Sequence, residues 1–438
     1  STPMATPLPP LNTNELIANF SSVVVLGDSL SDRRNLFELT GFFPPSPYVD
    51  GRFSNGDIWV DYFQDSLGLG DTQIQDFAVG GATTGSTNAL EPLLESLTGL
   101  DLTLPGLTAQ IDSYLNSLPA SGGDPEGLYV IWIGANDLLN VPTNPLEVPG
   151  FLANSVSNIV DAISQVAAEG GDTFLVPNLP DLGLTPRSLS SGNSALVTTL
   201  TSQFNTGLTN ALTSLEAALG IDILEVDIFS ATREILNSPA DFGLTNVTDP
   251  LISQIPPVDP GFFWWDDIHP TTGIHERVSD TFKDELLDGG YLINSADLPV
   301  ELLNLSAFSG EVTLNVTLSR EAAFDNVLRF YQTDPLGRLQ GLAPGEAGYE
   351  DAVSQALLDS PQIFIENLVT RDDSFTLTGG GYYAPALLVR GNVNDLVTLD
   401  DAITGDRKIL REGHTWRFED WSDFDFNDLE MTLTSITS

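Results

Sequence analysis

The chain has 438 residues, room for two or three domains, and sets 61 acidic against 16 basic side chains for a formal net charge of -45. Such a surface repels phosphate backbones and anionic membranes, which excludes nucleic acid as a partner, and it suits an extracellular protein in salty media that attracts divalent cations. The absence of cysteine excludes a disulfide framework, a thiol nucleophile and a cysteine-held zinc, and no apolar run approaches the ~20 residues of a membrane helix.

Residues 1–20, with prolines at positions 3, 7, 9 and 10, read as a leader or linker in which no signal peptide is visible; secretion is expected from the composition. From residue 21 to residue 298 apolar runs alternate with helix-like stretches, the texture of an α/β domain whose parallel sheet is covered by helices on both faces. Strands are expected at residues 22–26, 73–77, 129–133, 173–176 and 221–226, and long amphipathic helices at 150–168 and 194–219.

The first of these strands runs straight into Gly27-Asp28-Ser29-Leu30-Ser31-Asp32. Parallel strands deliver their C-terminal ends to a crevice where ligands bind, so a serine just past the glycine turn is a candidate nucleophile. It needs a base within reach, and the chain holds only three histidines. His269 stands in Trp264-Trp265-Asp266-Asp267-Ile268-His269-Pro270, with Asp266 three residues ahead of it to hold the imidazole tautomer. His275 falls in a helical stretch and reads as solvated or capping, while His414 belongs to a later region. Donors for a developing oxyanion are offered by Gly80-Gly81 and by Gly134-Ala135-Asn136-Asp137, although each segment taken alone favours a turn or a helix cap. Phe42-Phe43-Pro44-Pro45 and Phe262-Phe263-Trp264-Trp265 are candidate apolar walls or core.

Residues 299–438 change to alternating strands such as Glu311-Val312-Thr313-Leu314-Asn315-Val316-Thr317-Leu318, which predicts a smaller all-β, sandwich-like domain interrupted at Gly379-Gly380-Gly381 and Ala384-Pro385-Ala386. Within it Asp423, Asp425 and Asn427 alternate, a spacing that suits three oxygen ligands around one Ca²⁺. The EF-hand template fails, because Asp428 and Thr434 occupy its glycine and glutamate positions. A strand with Phe424 and Phe426 inward explains the same alternation and is the preferred reading.

Taken in order, these segments resemble the GDSL-type esterases and lipases, also called SGNH hydrolases, over roughly residues 21–285. The resemblance is carried by Gly27-Asp28-Ser29-Leu30, Gly51-Arg52-Phe53-Ser54-Asn55-Gly56-Asp57, the stretch around Gly81, Gly134-Ala135-Asn136-Asp137, Pro177-Asn178-Leu179-Pro180-Asp181 and the block ending His269-Pro270-Thr271. It implies a flavodoxin-like three-layer fold with Ser29 as nucleophile, His269 as general base and then acid, Asp266 orienting it, and an oxyanion hole from Ser29, Gly81 and Asn136. It also implies an ester substrate, a lipid or an acylated small molecule, and no cofactor for catalysis. Two departures stand out: Asp76 where the family has asparagine, and Arg33-Arg34 where it has small residues, both guanidinium groups being read as solvated. The C-terminal part resembles a domain of unknown function from the ends of secreted bacterial proteins, through Phe330-Tyr331-Gln332-Thr333-Asp334, Gly345-Glu346-Ala347-Gly348-Tyr349 and Phe418-Glu419-Asp420-Trp421 with Asp425-Phe426-Asn427-Asp428-Leu429. The competing expectation is a surface-binding protein that attaches through calcium and keeps the first domain as an inactive scaffold.

Overall fold

Five short runs rich in β-branched and aromatic residues pair as one parallel sheet, in the order Ile74–Asp76, Val23–Gly27, Leu128–Trp132, Thr173–Pro177, Asp222–Val226. Numbered along the chain, that order is 2-1-3-4-5, which puts the topological switch point between the first and third strands. The computed structural model describes residues 16–254, 256, 257, 261–320, 326–364, 370–393, 395–399, 409–419 and 429–438. Its contacts divide into two units, one spanning Phe20–Leu292 and the other Ile293–Ser438 together with residues 16–19.

In the Phe20–Leu292 unit the first and third strands are buried along their whole length, as parallel strands covered on both faces must be. One face carries the helices Val148–Ala168 and Ser194–Leu219, whose Ile159, Ile163, Phe204 and Leu208 pack with Val24, Leu26 and Ile131. Opposite, Trp59 of the helix Trp59–Leu67 and Trp132 both meet Phe282 of the helix Thr272–Asp288, at ring separations of 4.8 and 5.4 Å. All five expected strands are present within one or two residues, and the helix at 194–219 has the expected bounds.

Among the described residues the Ile293–Ser438 unit contains two five-stranded antiparallel sheets that share one core. One sheet runs Thr370–Thr378, Glu311–Ser319, Leu429–Thr437, Thr415–Phe418, Ile409–Glu412; the other runs Leu303–Asn304, Tyr382–Leu388, Val327–Thr333, Ile363–Phe364. Beyond the exposed Glu311, the side chains of Glu311–Ser319 alternate between buried and half-buried, and Val312, Leu314, Val316 and Leu318 face Leu328, Phe330 and Trp416. Ile17, in the strand Leu16–Ala18, is buried with Leu302, Tyr331 and Tyr349.

Ala384-Pro385-Ala386 was expected to interrupt the strands and instead lies inside one, with Pro385 paired opposite Phe330. The reason is local. Leu303–Asn304 covers only residues 382 and 383 on the other side, and Leu396–Val397 only 387 and 388, so Pro385 sits in a gap where its missing N–H removes no ladder bond among the described residues. A helix not expected from the sequence, Tyr349–Ala356, starts at Gly348 and buries Tyr349, whose hydroxyl donates to the Gly337 carbonyl at 2.7 Å and lies 2.9 Å from the Tyr331 hydroxyl. The calcium reading at Asp423, Asp425 and Asn427 lies outside the described residues.

Candidate active site

Ser29 stands two residues beyond the first strand, in a turn that leaves little freedom. A Cβ on Gly27 would come within 2.6 Å of the Trp132 carbonyl oxygen, so only glycine lets the first and third strands close up here. Gln110 clamps the same residue, accepting from its N–H at 2.9 Å and donating to its carbonyl at 2.7 Å. Beyond it the Asp28 carboxylate accepts the Leu30 N–H at 3.0 Å, and the Asp28 carbonyl accepts the N–H groups of Ser31 and Asp32. Burial pushes the Asp28 carboxyl up to about 6, against the lowering effect of the Leu30 N–H.

The base arrives from the far end of the same unit. After the strand Phe262–Trp264 the chain turns back, with the Trp265 N–H donating to the His269 carbonyl at 2.8 Å. Asp266 Oδ1 accepts the N–H groups of Ile268 and His269 at 2.9 and 2.6 Å, which fixes the carboxylate within the loop. Its Oδ2 lies 2.7 Å from His269 Nδ1, and His269 Nε2 lies 2.7 Å from Ser29 Oγ. Burial alone would raise the Asp266 carboxyl, but the His269 charge and the converging hydrogen bonds outweigh it and bring it down to about 2. An ionised Asp266 keeps the proton on Nδ1, so Nε2 is the nitrogen that can accept the Ser29 hydroxyl proton.

Asp32 straps the Gly80-Gly81 loop to this turn. Its carboxylate accepts the Gly80 N–H at 2.7 Å together with the N–H groups of Arg34, Asn35 and Leu36. Gly81 has φ +81°, and a Cβ there would lie 2.2 Å from Asn88 Oδ1, so the position is closed to side chains. Asn136 lines the pocket that holds Ser29 and His269; its amide nitrogen donates to the Ala82 carbonyl at 3.0 Å and carries a second hydrogen. Gly81 is not among that pocket's lining residues. The buried Asp137 ties the two donor segments together, accepting the Thr84 N–H at 2.9 Å, the Thr84 hydroxyl at 2.7 Å and the Ser155 hydroxyl at 3.0 Å.

Several side chains stand elsewhere than their sequence context suggested. His275 is fully buried rather than solvated, and its Nδ1 accepts the N–H of Trp59, the first residue of the helix Trp59–Leu67, at 3.2 Å, so it caps that helix from outside. Arg33 is half-buried and pairs with Asp61 at 3.1 Å, whereas the Arg34 side chain is solvent-exposed as expected and pairs there with the exposed Glu38 and Asp50. Asp76, standing where asparagine was expected, keeps a buried Oδ2 without a hydrogen-bond partner, and burial together with Asp32 holds its carboxyl well above the usual range. Of the two aromatic runs, Phe263 and Trp264 line the pocket, whereas Phe43 packs with Phe53 and Phe42 is exposed. Tyr48 joins the site as well: its hydroxyl donates to Asp266 Oδ2 at 2.7 Å, across a separation of 218 residues that no local pattern announces.

Comparison with known proteins places this geometry in context. The sequence profile of the GDSL-like Lipase/Acylhydrolase family matches residues 23–282, more than half of the chain. Phosphatidylcholine-sterol acyltransferase of Aeromonas hydrophila is 26% identical over 314 residues, covering 60% of this chain and 88% of that protein. Thermolabile hemolysin of Vibrio parahaemolyticus is 26% identical over 284 residues, 59% of this chain and 62% of its own length. Among solved structures, the acetylxylan esterase Axe2 of Geobacillus stearothermophilus aligns over 61% of this chain and 96% of its own at 14% identity, with a TM-score of 0.34. Among the described residues no helix is long and apolar enough to cross a membrane, and no group of acidic and histidine side chains is arranged to hold a metal ion.

Proposed function

Because the chain belongs to the GDSL-like lipase/acylhydrolase family, a group of ester hydrolases and acyl transferases, we propose that it is a serine carboxylester hydrolase acting through an acyl-enzyme on Ser29. The observation that carries this reading is the continuous relay from Ser29 Oγ through His269 to Asp266, two contacts of 2.7 Å each. Ser29 Oγ attacks the ester carbonyl carbon while His269 Nε2 takes its proton; the C–O bond to the alcohol then breaks and the same nitrogen protonates the leaving oxygen. Water repeats the sequence on the acyl-enzyme and releases the acid. Asp266 stays ionised throughout and balances the imidazolium.

The developing oxyanion is assigned to the Ser29 N–H, the Gly81 N–H and the Asn136 amide, where one donor contributes about 3 kcal/mol. Acyl transfer to an alcohol in place of water uses the same acyl-enzyme, and the kinship with the Aeromonas acyltransferase supports it as a branch of one mechanism. The acidic, lysine-poor composition supports an extracellular site of action. The calcium-attached scaffold fits less well, since a decayed site has no need of a buried aspartate, histidine and serine in bonding register.

The test is Ser29→Ala, assayed on an activated short-chain ester. Turnover is expected to fall by on the order of 10³-fold or more while the melting temperature holds. Full turnover in a folded variant overturns the assignment.

A further inference from the structure

The Asp266 carboxylate is held by its own loop at one oxygen and by a distant segment at the other. Oδ1 takes the Ile268 and His269 N–H groups, while Oδ2 carries both His269 Nδ1 and the Tyr48 hydroxyl, each at 2.7 Å. Among the described residues no other side chain bonds this carboxylate. The phenol ring is itself set firmly. It packs edge-on against Trp265, with centroids 5.8 Å apart, and against Phe53 at 6.2 Å, and Phe53 in turn lies 5.2 Å from the His269 ring. The segment after Tyr48 is also tied to the chain around the histidine. Val49 donates its N–H to the Ser54 carbonyl at 3.2 Å, the Ser54 hydroxyl donates to the Pro270 carbonyl at 2.9 Å, and Asn55 Oδ1 accepts the Thr272 N–H at 2.8 Å. Tyr48 is thereby carried in register with the loop that bears Asp266 and His269.

We propose that Tyr48 is a positioning residue of the hydrolytic site: its hydroxyl fixes Asp266 Oδ2 in line with His269 Nδ1 and so keeps the imidazole aimed at Ser29 Oγ. The inference rests on the serine-hydrolase reading. A carboxylate oxygen has two lone pairs; His269 Nδ1–H takes one on Oδ2 and Tyr48 takes the other. With the second unfilled, a buried anionic oxygen keeps a single donor, and the carboxylate is free to turn about its Cβ–Cγ bond or to draw water in. Either change swings the ring away from the serine. Burial, and then the negative charge of Asp266, hold the Tyr48 phenol well above its usual range, so it keeps its proton and remains a donor through both halves of the reaction. Tyr48 does not line the pocket at Ser29, so it acts through Asp266 and not on the ester.

The experiment is a double-mutant cycle of Tyr48→Phe and Asp266→Ala, with kcat and KM on an activated short-chain ester, phosphonate labelling of Ser29 and a thermal melt for every member. Tyr48→Phe keeps the ring and its packing on Trp265 and Phe53. Its kcat is expected to fall about tenfold, the rate equivalent of one charge-assisted hydrogen bond, with KM within about twofold of the wild type. In the Asp266→Ala background, where no acceptor is left, the same substitution is expected to change kcat by less than about twofold. An unchanged kcat in Tyr48→Phe, or a change confined to KM, overturns the positioning role and leaves the hydrolase reading standing. So does a loss of the same size that persists without Asp266, which would belong to ring packing. A Tyr48→Phe chain that no longer folds overturns it too, since the hydroxyl would then be a requirement of the fold. Absence of both turnover and label in folded wild-type protein overturns this inference and the hydrolase reading together.

Discussion

The two units of this chain bury polar groups for different ends. In the Phe20–Leu292 unit Asp28, Asp32, Asp137 and Asp266 are all buried in the segments that follow strand ends, and each accepts at least one main-chain N–H. There a carboxylate does the work of a splint: it sets one loop against the next where two parallel strands diverge. The Ile293–Ser438 unit also buries charge, at Arg320 and Glu419, but its interior follows from alternation along antiparallel strands, with Tyr331 and Tyr349 sharing a hydroxyl contact inside it. Parallel sheets bring unlike loops together at one edge, and those loops need polar splints. In the other unit Glu311–Ser319 pairs with Thr370–Thr378 and Leu429–Thr437, and alternation along each strand is what turns the apolar side chains inward.

That contrast can be broken or sharpened by measurement, and the largest effect expected concerns pH. Burial, and then the charge of His269, lower the His275 imidazole from 6.5 to about 3 in the folded protein. Below pH 6.5 the unfolded chain binds a proton that the folded one refuses, so the stability tied to a neutral His275 is present above 6.5 and is lost as pH falls toward 3. The full loss is on the order of 5 kcal/mol, and Asp28, whose raised carboxyl acts in the opposite sense between about 6 and 3.8, offsets part of it in the wild type. The difference between wild type and His275→Gln, followed by denaturant titration across this range, isolates the histidine. Parallel profiles would show that His275 is protonated in place.

Next comes Asp137→Ala, which takes away the acceptor of the Thr84 N–H and the Thr84 hydroxyl, while the Ser155 hydroxyl keeps the Phe151 carbonyl. It is expected to cost about 3 kcal/mol of stability and, because the segments carrying Gly81 and Asn136 lose their tie, to lower kcat at least tenfold. Lost stability with unchanged kcat would make Asp137 a purely structural residue. The smallest effect is the control from the other unit: Tyr349→Phe removes a buried hydroxyl bonded to Gly337 and is expected to cost about 1 kcal/mol with kcat unchanged. A drop in kcat there would erase the distinction between the two units.

How far the sequence discloses this depends on how local the signal is. The parallel strands announce themselves as buried β-branched runs, Val23–Gly27 most plainly, and the Glu311–Ser319 strand announces itself by period two. Ser29 and the pair Asp266 and His269 were legible because each lies in a short motif, although 240 residues separate the serine from its histidine. What stayed hidden is tertiary. Pro385 reads as a breaker until the gap in its neighbours is seen. His275 reads as solvated until the helix bearing it is laid against Trp59–Leu67. Tyr48 has no signal at all, being an ordinary loop tyrosine that the fold carries to Asp266.

The central claim is that Ser29 is activated by the His269–Asp266 pair, and intact-protein mass spectrometry after exposure to an organophosphonate serine-hydrolase probe tests it without knowledge of the substrate. One adduct is expected on the wild type and none on Ser29→Ala under conditions where both are folded. No adduct on folded wild-type protein, or an adduct that persists in the variant, would contradict it.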